Sequence, residues 1–183
     1  MNDITKDLLA SISAFGESVP DAYSIREDGA CAARQSTEHI KIEDKKGAPG
    51  LVVRVAPGTK GETVAVPACV THGGIEDLVY NDFYIGEGAD VVISAGCGVH
   101  ADEGGESLHN GIHRFFLGKN SHVVYKENHV GTGGGAAVRR IDPVTDAFLE
   151  EGAVLEMDTA QLGGVTRAVR RTTAELAARA KLI

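Results

Sequence analysis

The chain has 183 residues, 43% of them hydrophobic, and a formal net charge of −8 at pH 7. Its length and composition predict a single globular domain with a well-buried core. The acidic charge argues against nonspecific binding to nucleic acid or to an anionic membrane, because both attract basic surfaces. No apolar run approaches the roughly 20 residues that span a bilayer, and the N-terminus lacks the basic start and apolar segment of a secretory signal.

The first element in the chain is a predicted amphipathic helix. Asn2 or Asp3 can cap its start, and Gly16 can end it. The apolar residues that follow helical spacing are Ile4, Leu8, Leu9, Ile12 and Phe15. Periodicity is poor from Gly16 to Ser36, so residues 1–36 are predicted to form this short N-terminal helix and a loose connection.

From Thr37 the hydrophobic period changes to two, as in β-strands. The strand segments are EHIKIED, LVVRV and TVAVP, and the segments between them are KKGAPG and APGTKG, whose glycines and prolines favour turns. Residues 37–183 are therefore predicted to form one all-β core.

The second half of the chain repeats itself at a fixed period. The segments YIGEGADVVIS, FLGKNSHVVYK and FLEEGAVLEMD place Ile85, Leu117 and Leu149 in register, since 117 − 85 and 149 − 117 are both 32. Each copy has an apolar residue, a turn with small residues and an alternating strand. Units of this kind predict the stacked coils of a parallel β-helix. An antiparallel sandwich or a cupin-like barrel with similar hairpins is the alternative.

In the C-terminal segment two patterns conflict. TRAVRRTTAELAARAKLI is rich in Ala, Leu and Arg, which favour a helix. LAARAKLI is also a weaker fourth copy of the repeat, in which Leu176 follows Leu149 at a shorter spacing (176 − 149 = 27). Tertiary stacking often overrides helix propensity, so we predict strands here. A last coil ending at Ile183 would offer an unpaired edge. We expect a homo-oligomer or another subunit to cover it, and the alternative is that the sequence is a piece of a longer protein.

The cysteine content bears on the cellular compartment. Cys31, Cys69 and Cys97 are an odd number and have no Cys-x-x-Cys spacing. This favours reduced thiols over a secreted disulfide framework, and we expect a cytoplasmic protein.

Stacking at the same period also predicts a site around Cys97. It places Cys97 and His129 side by side on the inward face of adjacent strands, which lie about 4.8 Å apart, with Glu127 one column away. A thiol beside an imidazole is expected to have a lowered pKa, which makes it a better nucleophile or metal ligand. The alternative is that Cys97 is a small buried residue in a glycine-rich turn.

His109 and His113 are a second candidate pair. On a helix, residues four apart share one face and could hold a single zinc ion. On a strand the two lie roughly 13 Å apart, too far for one ion, and Gly111 and the surrounding β pattern favour the strand. The sequence contains neither the His-x-His of a cupin nor the Gly-Lys-Ser/Thr ending of a phosphate-binding loop.

Several motifs occur together in a specific order. They are AGCGVH, HNGIHRFFLGKNSHVVYKENHVGTG, LEEGAVLEMDTAQLGGV and AELAARAKLI. Over roughly Val79 to Ile183, and more loosely from Thr37, the chain resembles the core domain of the SufB/SufD family, the scaffold proteins of SUF-type iron–sulfur cluster assembly.

The resemblance implies a right-handed parallel β-helix whose members pair into dimers. It also implies three partners, namely a SufC-like ABC ATPase, a cysteine desulfurase as sulfur donor, and a second SufB/SufD-like subunit. Family members help to form a nascent iron–sulfur cluster with Cys, His and Glu side chains. By position, the candidate cofactor or metal ligands are Cys97, His100, His109, His113, Glu127 and His129.

The sequence departs from the family pattern in its C-terminal part. Full-length members continue with further coils, with ATPase-docking helices and with a cluster-related cysteine that has no equivalent here. We expect a scaffold that accepts iron and sulfur for a transient cluster, and not a turnover enzyme. The alternatives are a metal-dependent enzyme that uses Cys97, His100 and His129, and a structural partner subunit that binds nothing.

Overall fold

A computed structural model describes residues 1–12, 19–102 and 105–183 of the chain. Within these ranges the chain forms one helix and fifteen strands. The helix is α1 (Asp3–Ser11) and the strands are β1 (Ala22–Glu27), β2 (Ala30–Gln35), β3 (Ile40–Asp44), β4 (Leu51–Val55), β5 (Lys60–Val70), β6 (Glu76–Ile85), β7 (Asp90–His100), β8 (Glu106–Leu117), β9 (His122–Thr132), β10 (Val138–Ile141), β11 (Val144–Leu149), β12 (Val154–Gly163), β13 (Arg167–Ala168), β14 (Arg171–Leu176) and β15 (Lys181–Leu182).

The strands form a parallel β-solenoid of about three turns. One sheet has the order β15-β12-β9-β7-β5-β1-β2, and the other has the order β13-β10-β8-β6-β4-β3, with β11 beside β8 and β14. Two pairs of neighbours are antiparallel, β1 with β2 and β3 with β4. The chain alternates between the sheets, so that each coil contributes strands to both and the core lies between them.

The register predicted from the repeat is confirmed. Leu117 pairs with Ile85 on one side and with Leu149 on the other. In the opposite sheet, Val123 lies between Val91 and Leu155. These residues belong to the main hydrophobic core. Because the coils stack in register, equivalent side chains point the same way and every coil buries the same face.

Aromatic side chains join the two sheets across the core. Phe83 and Phe115 stack in neighbouring coils with their ring centroids 4.6 Å apart. The edge of Tyr125, from the opposite sheet, meets Phe115 at 4.9 Å between centroids. All three side chains are fully buried, so this contact fixes the spacing of the two sheets next to the polar residues described below.

The N-terminal helix is confirmed, and Asn2 caps it by accepting a hydrogen bond from the Thr5 amide. Phe15 and Gly16, also assigned to this element, lie outside the described residues. The helix is not long and apolar enough to cross a bilayer, and the described ranges contain no other.

The expected loose connection is wrong over residues 22–35. These residues form the β1–β2 hairpin, whose turn places Asp28 and Gly29 at positive φ. Strand β1 pairs in parallel with β5, so the sheet begins before residue 37. Apolar and polar residues do not alternate clearly in this part of the sequence. The reason is that β2 lies at the sheet edge and is largely exposed, so it does not need an apolar face.

The C-terminal prediction of strands is confirmed. Leu149 pairs with Leu176, as the weak fourth copy predicted, and Leu155 pairs with Leu182. Every residue of β14 is exposed, and among the described strands β14 pairs with β11 alone.

The two glycines that flank Cys97 have a packing role. Gly96 and Gly98 lie directly beneath α1, at positions of β7 where a side chain would point outward. A β-carbon on Gly98 would lie 2.8 Å from Cβ of Leu8, and one on Gly96 would lie 2.9 Å from Cδ1 of Ile12. The alternation Gly-Cys-Gly therefore lets the helix approach the strand from outside while the thiol points inward.

We expect Gly98→Ala to lower the free energy of unfolding by about 1–3 kcal/mol, because the added methyl overpacks the interface with Leu8. Urea unfolding measures this change. Gly134→Ala is the matched control, since a β-carbon there meets nothing within 4 Å. Equal stability of the two variants would contradict close packing of α1 on β7.

Candidate metal site inside the solenoid

Three potential ligand side chains meet between adjacent strands of one sheet. Cys97 on β7 pairs in register with His129 on β9, and Glu127 lies two residues before His129 on the same inward face. Their ligand atoms all lie within 4.8 Å of one another. These residues, the triad, are 4%, 2% and 1% exposed in that order. Within the described ranges no other group of three or more His, Cys, Asp or Glu side chains places its ligand atoms this close together.

Two atoms of the triad lack satisfactory partners. Nε2 of His129 lies 3.2 Å from Oε1 of Glu127, and Nη2 of Arg170 lies 2.7 Å from Oε2 of Glu127. Both are ion-pair distances, yet neither contact has hydrogen-bond geometry, and Nε2 of His129 and Oε2 of Glu127 have no hydrogen-bond partner among the described residues. Buried polar atoms usually have hydrogen-bond partners, so these two atoms are candidate donors to a bound ion.

The charge state of Glu127 follows from its neighbours. Burial alone would raise the pKa of its carboxyl, but His129, His113 and Arg170 outweigh burial and hold the pKa well below its usual value. The side chain is therefore a carboxylate at neutral pH. It supplies a negative charge in the interior, where a charge is costly unless it is paired.

The expected lowering of the Cys97 pKa is wrong. Burial is the main effect and raises the pKa of this thiol well above its usual value, and the neighbouring Glu127 carboxylate raises it further. An imidazole neighbour by itself would lower the pKa, but burial and the carboxylate outweigh it. Without a metal ion Cys97 is therefore a neutral thiol, and it is not activated as a free nucleophile.

His113 and Tyr125 border the triad. Burial lowers the pKa of His113 to about 4, so its imidazole is neutral at physiological pH. Its Nδ1 lies 3.3 Å from the Tyr125 hydroxyl. Burial and Glu127 raise the pKa of Tyr125 well above its usual value, which keeps the phenol protonated.

His109 belongs to a different buried cluster. It lies on β8 with His113, which confirms the predicted strand, and both side chains face inward. Nδ1 of His109 is 3.0 Å from Oδ2 of Asp77, and Arg26 donates hydrogen bonds to both oxygens of the same carboxylate. His109 thus has a carboxylate partner of its own, apart from the triad.

His100 lies at the end of β7 and is not part of the triad. Its Nδ1 is 2.9 Å from the Thr132 hydroxyl, and its Nε2 is 3.1 Å from a carboxylate oxygen of Asp102. The Asp102 side chain is largely exposed. Ligand roles for His100, His109 and His113 stay predictions.

Two cavities lead to the polar interior. One, of about 340 Å³, is lined by Cys97, His109 and His113 and also by Arg26 and Cys31. The other, of about 190 Å³, is lined by His129, Pro143, Thr159, Ala160, Gln161, Ala168 and Arg170. A larger hollow of about 840 Å³ lies on the outer aromatic residues and is lined by none of the triad. The largest of these three cavities is therefore not one that borders the candidate ligands.

Sequence reasoning missed three neighbours of these sites, Asp77, Tyr125 and Arg170. Asp77 could have been found, since it precedes His109 by one period of the repeat (109 − 77 = 32) and pairs with it in register. Tyr125 lies within the repeat segment FLGKNSHVVYK, but the period gives no signal for the contact of its hydroxyl with His113. Arg170 has no such signal, because its guanidinium reaches Glu127 from a connection outside the repeat.

The donor set of the triad fits a thiophilic transition metal. A thiolate and an imidazole suit zinc or iron, and a carboxylate adds negative charge. Ligand atoms around one tetrahedral ion lie about 3.3–3.8 Å apart, so the triad would close by about 1 Å to hold one. Nε2 of His129 and Oε2 of Glu127, the two atoms without a hydrogen-bond partner, are those such an ion would engage. Comparison of the chain with protein-family models, curated proteins and solved structures found no match.

Proposed function

We propose that this protein is an iron–sulfur cluster assembly component of SUF type, in which the triad accepts iron and sulfur for a nascent cluster. The observation that carries the proposal is a buried Cys, Glu and His set from adjacent coils, with two atoms lacking hydrogen-bond partners. The ordered motifs that resemble the SufB/SufD core support the same function. Iron and sulfide are the cargo of such a scaffold.

The residues of the chain have distinct tasks in this function. Cys97 gives up its thiol proton when it binds iron, since the thiolate is the ligand form. Glu127 is already ionised and offsets the charge of the incoming cation. His129 offers Nε2, which lies beside that carboxylate. The buried position excludes bulk water, which protects bound sulfide from loss.

Anaerobic reconstitution with ferrous iron and sulfide tests the proposal. Cys97→Ser and His129→Ala should each abolish retention of iron and sulfide, and far-UV circular dichroism of each variant should show that the strands are still folded. Cys31→Ser is the control, because Cys31 is exposed on β2 and lies outside the triad. If Cys97→Ser and His129→Ala retain as much iron and sulfide as the parent, the triad is not the site.

A metal-dependent enzyme is the second candidate, favoured by the cavity of about 190 Å³ beside His129, which could admit a small substrate. Reconstitution separates the two functions. A scaffold retains sulfide together with iron, whereas a mononuclear enzyme site retains a metal ion without sulfide. A purely structural subunit retains neither.

The partners of the proposed scaffold are a cysteine desulfurase, a SufC-like ATPase and a SufB/SufD-like subunit or a second copy of this chain. Exposed β14, whose outer edge pairs with no described strand, suits subunit pairing. These partners remain proposals that rest on the resemblance and on this edge.

A further inference from the structure

Arg170 is a surface residue whose charged end reaches the buried triad. It lies between β13 and β14, and 29% of its side chain is exposed, against 1% for Glu127. Its Nη2 is 2.7 Å from Oε2 of Glu127. The guanidinium therefore lies at the boundary between the interior and the surface of the solenoid.

The same side chain lines the cavity that leads to His129. This cavity, of about 190 Å³, has Arg170 and Ala168 on one side and Thr159 and Gln161 of β12 on the other. Arg170 and His129 therefore border the same opening, and Arg170 also contacts Glu127.

Electrostatics makes Arg170 and a metal ion competitors for Glu127. A buried carboxylate is costly without a cation, and Arg170 supplies that cation in the metal-free protein. Its Nη2 occupies the approach to Oε2 of Glu127, one of the two atoms that lack a hydrogen-bond partner. A divalent ion bound to the triad would lie within a few ångströms of the guanidinium, and the like charges would repel.

We propose that Arg170 is the gate of the triad. It pairs with Glu127 when the metal is absent, and it must swing out through the cavity beside His129 when an ion binds to Cys97, Glu127 and His129. The inference rests on the proposed metal site. Displacement of Arg170 affects the backbone next to it, residues 169–171, because pairing of β13 with β10 and the Thr166–Arg139 hydrogen bond hold the rest of this connection.

Cobalt(II) titration under anaerobic conditions tests the competition, with thiolate-to-cobalt charge-transfer absorption as the readout. Arg170→Met should bind cobalt at least ~tenfold more tightly than the parent, because a like charge a few ångströms from the ion is removed. Arg167→Met is the matched control, since it removes the same charge from an exposed residue on β13. We expect its affinity to stay within about twofold of the parent, as for a screened surface charge.

Hydrogen exchange of the parent protein gives a second test that needs no variant. Adding cobalt should speed exchange of the backbone amides of residues 169–171, because the Arg170 side chain no longer ties this part of the backbone to the interior. Exchange at residues 166–168, which stay bonded to β10, should not change. Exchange in the triad strands β7 and β9 should slow, since the ion binds the folded site.

The outcomes distinguish this inference from the proposed function. If the parent binds cobalt and Arg170→Met binds it no more tightly than Arg167→Met, Arg170 is not a gate although the metal site stands. Unchanged or slower exchange at residues 169–171 on metal binding leads to the same conclusion. Absence of thiolate-to-cobalt absorption in all three proteins overturns both the gate and the metal site.

Discussion

Asp77→Ala is expected to lower the free energy of unfolding by about 3–5 kcal/mol, the usual cost of removing one partner from a buried ion pair. The Asp77 side chain is 4% exposed and holds Arg26 through both carboxylate oxygens as well as Nδ1 of His109. Its removal leaves a guanidinium and an imidazole unpaired between β1 and β8. Chemical denaturation at neutral pH measures the loss.

The effect of Asp77 should depend on pH in a defined direction. Burial alone would raise the pKa of this carboxyl, but hydrogen bonds from His109 and Arg26 outweigh burial and hold the pKa well below its usual value. A lowered folded-state pKa contributes stability that is complete above the unfolded pKa and is lost as pH falls through the folded one. The stability difference between parent and Asp77→Ala should therefore narrow below about pH 4, near the unfolded pKa of aspartate.

Asp90→Ala is the matched control for this prediction. Asp90 pairs with His122 one period along the repeat and at the same 3.0 Å distance, but its side chain is 51% exposed. An exposed pair contributes about 0–1 kcal/mol. Similar losses for Asp77→Ala and Asp90→Ala, or a difference from the parent that widens in acid, would contradict a buried ion pair at Asp77.

Phe115→Ala is expected to cost about 3–5 kcal/mol of unfolding free energy, as large-to-small changes of aromatic core residues do. Phe115 is fully buried, stacks on Phe83 and receives the edge of Tyr125 from the opposite sheet. The substitution leaves a cavity between the sheets that a stacked, in-register backbone cannot collapse to fill. Urea unfolding measures the change.

The neighbouring Phe116→Ala provides the comparison within the same strand. Phe116 points outward, is half-buried, and stacks between Tyr84 and Phe148 in an outer aromatic row. Its loss removes surface packing without opening a core cavity, so we expect a cost of about 1–2 kcal/mol. If Phe115→Ala and Phe116→Ala lower the free energy of unfolding equally, the solenoid interior relaxes around the missing Phe115 ring. That result would contradict the predicted core cavity.

The repeat could be recognised in the sequence because successive coils of a solenoid need similar residues at equivalent positions. Those residues therefore recur at a fixed spacing along the chain. The spacing of Ile85, Leu117 and Leu149 was enough to predict parallel coils and the pairing of Cys97 with His129. The strand that carries His109 and His113 also followed, because Gly111 and the surrounding period of two favoured a strand over a helix.

The local sequence did not predict the elements that lie outside the repeating segments. The β1–β2 hairpin looked like a loose connection because its edge strand needs no apolar face. Its place in the sheet depends on pairing with β5, where Ala22 meets Val64 from a later part of the chain. The role of Gly96 and Gly98 likewise depends on α1, which comes from the distant N-terminal end.

The sequence by itself thus determined the coils, the inward columns and the meeting of Cys97, Glu127 and His129, since all of these depend on a fixed period. Tertiary structure alone decided the chemistry of that meeting point. Burial raises the pKa of Cys97 instead of lowering it, and Arg170 brings a cation to Glu127 from outside the repeat. The reason is that desolvation and charge depend on everything that surrounds an atom in three dimensions, whereas periodicity specifies only which residues lie side by side.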